Sequence, residues 1–132
     1  MEFRALTSEE ERIGFAVVNA AFKVHKELGL GLLEKVYEVC LTHELRKEEY
    51  EVVRQVEIPI QYDGIVFEEG LRLDLLIERK VIVEIKAVDQ VNPVWQAQVL
   101  SHLKLTNLRL GYLINRYRRL GIPIIVLLGI GE

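Results

Sequence analysis

Leu71-Arg72-Leu73-Asp74-Leu75-Leu76-Ile77-Glu78-Arg79-Lys80-Val81-Ile82-Val83-Glu84-Ile85-Lys86-Ala87-Val88 is the stretch on which the fold turns. Two apolar runs with period-two character flank a charged triplet, which predicts two strands joined by a short loop at 78–80. On the first strand Leu71, Leu73, Leu75 and Ile77 fall on one face and Arg72, Asp74, Leu76 and Glu78 on the other. On the second, Val81, Val83, Ile85 and Ala87 lie opposite Ile82, Glu84, Lys86 and Val88. Matching the two apolar faces pairs Ile77 with Val81 and sets Asp74 opposite Glu84, with Lys86 on the same face. A slip of one residue would turn one apolar set outward, so the register is constrained.

Hydrophobic patterning therefore brings two carboxylates and an ammonium together. Paired carboxylates are hard oxygen ligands suited to magnesium or manganese. A lysine two residues past the second acid can position or deprotonate a water, or stabilise developing negative charge. Metal-assisted cleavage of a phosphodiester needs that set. The competing interpretation is a surface ion pair in which Lys86 neutralises Asp74 and Glu84, since Glu-Ile-Lys is a common strand triplet.

Upstream, Thr7 or Ser8 to Leu28 reads as a helix. Ser8 and Glu11 fit a capping box, Ile13, Val17, Ala20, Val24 and Leu28 form the apolar stripe, and Gly29 closes the end. A second helix, about Leu32 to Glu48, carries Leu33, Val36, Tyr37, Cys40, Leu41 and Leu45, making an αα-hairpin. Val52 to Ile60 alternates as a strand up to the turn dipeptide Asp63-Gly64, with a short return at Ile65 to Glu68. Downstream, Asn92-Pro93 opens a helix running to about Leu105. Leu110–Ile114 and Ile122–Leu128 read as buried strands. The expected order is α-α-β-β-β-β-α-β-β, an α/β domain with a central mixed sheet, helices on both faces and the αα-hairpin at its N-terminus.

The 132 residues suit one domain over 1–132, with 50% hydrophobic and 28% charged residues as in globular proteins. The longest apolar run, Ile122 to Ile130, is interrupted by Pro123 and Gly129 and is too short to span a membrane. No secretory leader is expected, and the lone Cys40 excludes an internal disulfide and a multi-thiolate zinc site, so a cytoplasmic setting is expected. Charge is uneven: residues 1–89 carry 12 Lys/Arg and 19 Asp/Glu, whereas residues 90–131 carry Lys104, Arg109, Arg116, Arg118 and Arg119 and no acid. A net charge of −3 opposes non-specific nucleic-acid binding, while the basic third can hold phosphate locally.

The run Gly31-Leu32-Leu33-Glu34-Lys35-Val36-Tyr37 resembles the motif of the GxxExxY proteins, a branch of the PD-(D/E)xK nuclease superfamily. The resemblance extends through His25-Lys26-Glu27-Leu28-Gly29, Arg72-Leu73-Asp74, Val83-Glu84-Ile85-Lys86, Gln96-Ala97-Gln98 and Leu110-Gly111-Tyr112-Leu113-Ile114-Asn115. It implies a restriction-endonuclease-like core in which Asp74 and Glu84 bind metal, the Ile85 carbonyl is a further ligand and Lys86 is catalytic. It also implies that Glu34 is a helix-borne acid facing the sheet, binding metal directly or through water. Gln98 would come from the helix after the catalytic strands. Four residues on, where related nucleases carry Tyr, this chain has His102 on the same helix face. Leu73 stands where the superfamily's proline would precede the aspartate.

The combined expectation is a magnesium- or manganese-dependent nuclease acting on DNA, with Glu34, Asp74, Glu84, Lys86 and Gln98 as catalytic residues. Arg72, Lys104, Arg116, Arg118 and Arg119 are expected to contact phosphate. A short chain has limited surface for duplex DNA, which favours a homodimer. The alternative is a non-catalytic nuclease-fold scaffold or nucleic-acid-binding protein. Packing roles are expected for Trp95, Cys40 and Tyr112, and for Tyr117 in the basic third. His43 is expected to be an exposed helix residue, and His25 to pack or cap near the end of the first helix.

Overall fold

The computed structural model describes residues 6–29, 33–86, 92–115 and 124–129. Helix α1 (Ser8–Leu28) begins one residue before the expected capping box. The Thr7 hydroxyl accepts from the Glu10 amide at 3.1 Å, and the Thr7 amide donates to Glu10 Oε1 at 2.8 Å. Thr7-x-x-Glu10 and Ser8-x-x-Glu11 fit the same pattern. Thr7 takes the role because its backbone is extended, whereas Ser8 is already helical. Gly29 ends α1 at φ 71°, a conformation glycine adopts without a Cβ penalty.

Helix α2 (Glu34–Lys47) buries Tyr37, Leu41 and Leu45, as its spacing predicts, while Leu33 and Val36 are exposed. The Tyr37 hydroxyl donates to the Ala21 carbonyl at 3.1 Å, tying α2 to α1.

Strand β1 (Val52–Tyr62) turns at Asp63 and Gly64, both at positive φ, and returns as β2 (Ile65–Ile77). The two strands expected at 65–68 and 71–77 are one. Backbone pairing with β1 runs from Tyr62↔Ile65 to Val52↔Ile77 and absorbs a register shift between Ile58 and Ile60. After Glu78-Arg79-Lys80 comes β3 (Val81–Lys86), with Ile77 paired to Val81 as expected. Residues 87 and 88 of the expected strand lie outside the described residues. Asn92 caps α3 (Pro93–Thr106), accepting from the Val94 amide, and Asn107 ends it in the left-handed region. Strands β4 (Leu110–Asn115) and β5 (Ile124–Gly129) complete a sheet of order β1-β2-β3-β4-β5. Among the described strands only β3 and β4 run parallel, joined by the α3 crossover.

Helices α1 and α2 cover one face, where Ile13, Val17, Leu41, Leu45, Leu75, Ile77, Val83 and Ile114 pack together. Helix α3 covers the other, with Leu73, Ile82, Val99, Leu103 and Leu113. Leu73 thus leaves the face that period two shares among Leu71, Leu73, Leu75 and Ile77. The exchange happens in both strands: Val52 belongs to the α1/α2 core, whereas Val56 and Ile58 pack with the α3 cluster. Between them Gln55 sits at φ 52°, inside the strand and across from Asp74 in register. A left-handed residue in a strand rotates the chain beyond it, as in a β-bulge, so the faces swap there. No helix among the described residues is long and apolar enough to cross a membrane.

Candidate active site

Asp74 occupies the point where the faces exchange, and two clefts meet at it. One, of 280 Å³, lies under α3 and is lined by Arg72, Asp74, Glu84, Lys86, Trp95, Gln98, Val99 and His102. The other, of 370 Å³, lies beside α2 and is lined by Glu34, Lys35, Glu38, Arg54, Gln55, Arg72, Asp74 and Ile85. The structure therefore gathers Asp74, Glu84, Lys86 and Gln98 in the first cleft. Glu34, exposed at the start of α2, shares the second with Asp74 and Ile85.

The ladder between β2 and β3 runs from Ile77↔Val81 to Leu75↔Val83. Beyond it, Asp74 Oδ2 accepts the Ile85 amide at 2.8 Å, so the carboxylate takes the place of a backbone partner where the strands part. Glu84 is buried at 6% exposure. His102 Nδ1 stands 3.4 Å from its Oε1, and neither atom makes a hydrogen bond. Burial pushes the Glu84 carboxyl up to about 7; the His102 contact opposes this, and the neighbouring Asp74 charge and hydrogen bond reinforce it.

Lys86 lies over the Trp95 ring, 5.7 Å from its centroid. Among the described residues no ion pair joins it to Asp74 or Glu84, so the neutralising surface pair considered from the sequence is not formed. Trp95 is half-buried against the α3 cluster, a packing role as expected. Arg72 is exposed and lines both clefts, and Lys104 is exposed in the last turn of α3. Arg116, Arg118, Arg119 and Tyr117 lie outside the described residues. Tyr112 is buried, which raises its hydroxyl pKa, and its ring lies beneath Gly14 of α1. His43 is exposed, Cys40 half-buried and His25 buried.

The donor set fits a hard divalent cation. Two carboxylates face one cleft, and the buried Glu84 Oε1, with only the 3.4 Å approach of His102 Nδ1, makes no hydrogen bond. Among the described residues no three His, Cys, Asp or Glu side chains form a ready cage. An ion held by one or two carboxylates and several waters needs none, which is the usual magnesium arrangement.

The model of the PD-(D/E)XK nuclease superfamily matches residues 11–122. The chain belongs to this superfamily. Its fold is the restriction-endonuclease-like α/β type: a solved structure, SSO0001, superposes with a TM-score of 0.56 at 20% identity. The alignment covers 95% of this chain and 60% of SSO0001, so the PD-(D/E)XK chain spans about three-fifths of that protein's length. No curated protein matches the chain in sequence.

Two residues of this PD-(D/E)XK site were not singled out by sequence reasoning. Glu38 is buried one turn after Glu34, where Arg54 Nε donates to its Oε2 at 2.9 Å and Gln55 Nε2 to its Oε1 at 2.7 Å. The signal for Glu38 was present: 34, 38, 41 and 45 share a helix face. For Gln55 there was none, because its role depends on a backbone angle.

Proposed function

We propose that this chain is a metal-dependent nuclease hydrolysing phosphodiester bonds of DNA, of the GxxExxY branch marked by Gly31, Glu34 and Tyr37. The observation that carries it is the buried Glu84 oxygen beside Asp74, met by His102 at 3.4 Å without a formed hydrogen bond, in one cleft with Lys86 and in a chain of nuclease ancestry. Asp74, Glu84 and the Ile85 carbonyl would hold magnesium or manganese, with Glu34 approaching from α2. When bound, the ion supplies Lewis acidity and offsets phosphate charge. Lys86, steered by the Trp95 face, orients or deprotonates the attacking water. Gln98 orients that water or the phosphate. Arg72, Lys104, Arg116, Arg118 and Arg119 hold the backbone phosphates, which makes binding strongly salt-dependent. A single domain over 1–132, acting as a cytoplasmic homodimer that sets one site against each strand, completes the proposal.

Calorimetric titration with magnesium and manganese, on wild type and on Asp74→Ala/Glu84→Ala, tests it. Saturable binding that disappears in the double variant is expected, followed by cleavage of branched, nicked or single-stranded DNA. No metal uptake, even with DNA present, would overturn it in favour of a non-catalytic nucleic-acid-binding scaffold. One observation favours that second function: Lys86 rests on Trp95 and not on the acids.

A further inference from the structure

We infer that Glu38 is a positioning residue for this site: by gripping Arg54 and Gln55 it holds the strand kink that presents Asp74 to both clefts. The inference rests on the nuclease proposal for its catalytic meaning and on geometry for the rest.

Neighbours on a regular strand point to opposite faces. Arg54 and Gln55 nevertheless both reach the one buried carboxylate of Glu38, at 2.9 and 2.7 Å. They can do so because Gln55 is at φ 52°, a conformation that non-glycine residues rarely adopt and that surrounding contacts must hold. Glu38 supplies that contact. Both of its oxygens are engaged by these donors, so it is occupied as an anchor and is not a free ligand in the second cleft.

The consequence falls on Asp74. In register Gln55 stands opposite it, between the pairs Arg54↔Leu75 and Val56↔Leu73, and this pair alone is missing from that part of the ladder. At this point the side chains of both strands exchange faces. Asp74 is thereby freed from regular alternation, lines both clefts and receives the Ile85 amide. Without the grip, Gln55 would relax toward ordinary extended backbone. Regular alternation would then turn Asp74 wholly to the α3 face with Leu76, out of the second cleft and off the Ile85 amide, and misplace the carboxylate offered to a metal.

The test combines two readouts on the full chain: the Ile85 amide resonance in ¹⁵N-labelled protein, and manganese affinity by calorimetry. The variants are Glu38→Ala, Glu38→Ala/Gln55→Gly and Asp74→Ala/Glu84→Ala. Glu38→Ala should move the Ile85 amide toward its position in the variant lacking Asp74 and weaken manganese binding by roughly 10- to 100-fold, the range typical of residues that orient ligands. Adding Gln55→Gly should restore both, because glycine takes positive φ without the grip. A role confined to stability would leave the resonance and the affinity of folded Glu38→Ala unchanged, and that result overturns the inference. If Glu38→Ala does not fold, the comparison moves to Arg54→Ala/Gln55→Ala, with the same expectations and the same overturning result. Wild type that fails to bind manganese while Glu38→Ala still moves the Ile85 amide would overturn the nuclease proposal and leave the positioning of Asp74 standing.

Discussion

The two faces of the sheet are built differently. Against α1 and α2 lies a deep apolar layer running from Ile13 and Val24 through Tyr37 and Leu45 to Ile114. Against α3, among the described residues, lies a thinner one, Leu73, Ile82, Val99, Leu103 and Leu113, and its margin opens into the cleft that holds Glu84 and Lys86. The acid–lysine cleft thus opens under the thinner described layer, and the Glu38–Arg54 pair sits beside the thicker one. Burying Glu84 is unfavourable, and the thick layer lets the fold tolerate a costly group under the thin one.

The largest expected effect is chemical. On the proposed nuclease function, Lys86→Ala should cut DNA cleavage by about 10²–10⁴-fold, the usual worth of a positioned acid or base, with little change in urea midpoint. Persisting cleavage in a pure sample would remove Lys86 from the mechanism. Next is packing: Leu41→Ala, in the thick layer, should cost about 3–5 kcal/mol, and Leu103→Ala, under α3, about 2–3 kcal/mol because a thin layer can settle. Equal losses by urea denaturation would erase the asymmetry.

The Glu84 carboxyl sharpens the comparison through pH. Its folded pKa of about 7 lies above the ordinary 4.5, so its contribution to stability is fully present below 4.5 and is lost as pH rises through 7. The swing is about 3 kcal/mol, taken as an order of magnitude. Glu84→Gln should flatten the fall in urea midpoint between pH 5 and pH 8, and manganese should oppose it in wild type with release of a proton. An unchanged pH profile in Glu84→Gln would show that other groups govern it.

The smallest effect concerns the thick side alone. A Cβ at Gly14 would collide with the Tyr112 hydroxyl, so Gly14→Ala should cost about 1–3 kcal/mol. Tyr112→Phe in the same chain should recover part of that loss. A thermal midpoint equal to wild type in Gly14→Ala would mean that α1 shifts freely over the sheet.

Much of this was legible in the residues. The register Ile77↔Val81 followed from matching apolar faces, and Asn92-Pro93 announced α3 because cap chemistry is local. The acids and Lys86 converged for the same reason. Other features escaped for physical causes. Glu68-Glu69-Gly70 reads as a break, yet β2 runs through it as a bulge at the register shift between Ile58 and Ile60, where Gly70 packs closely on Ile60. Leu73 departs from its period-two face because no residue type signals φ 52° at Gln55. Glu38 is not legible in the apolar stripes, because it is a buried carboxylate whose partners, Arg54 and Gln55, lie on a later strand.

The α3 crossover has a kinetic meaning as well. Ile77↔Val81 closes over the three residues 78–80, whereas Val81↔Leu110 must wait for all of α3 to fold back. By loop-closure entropy the second event is dearer by roughly 2 kcal/mol, so we expect the β2–β3 hairpin to form first. Pulse-labelled hydrogen exchange during refolding should protect the hairpin amides of β2 and β3 before that of Leu113, and simultaneous protection would refute this order. Asp74 and Glu84 then meet while the chain is still open to water, where a shared charge is cheap. Val99 and His102 arrive afterwards and dry the cleft, so like charges are brought together before the environment that makes them repel is in place.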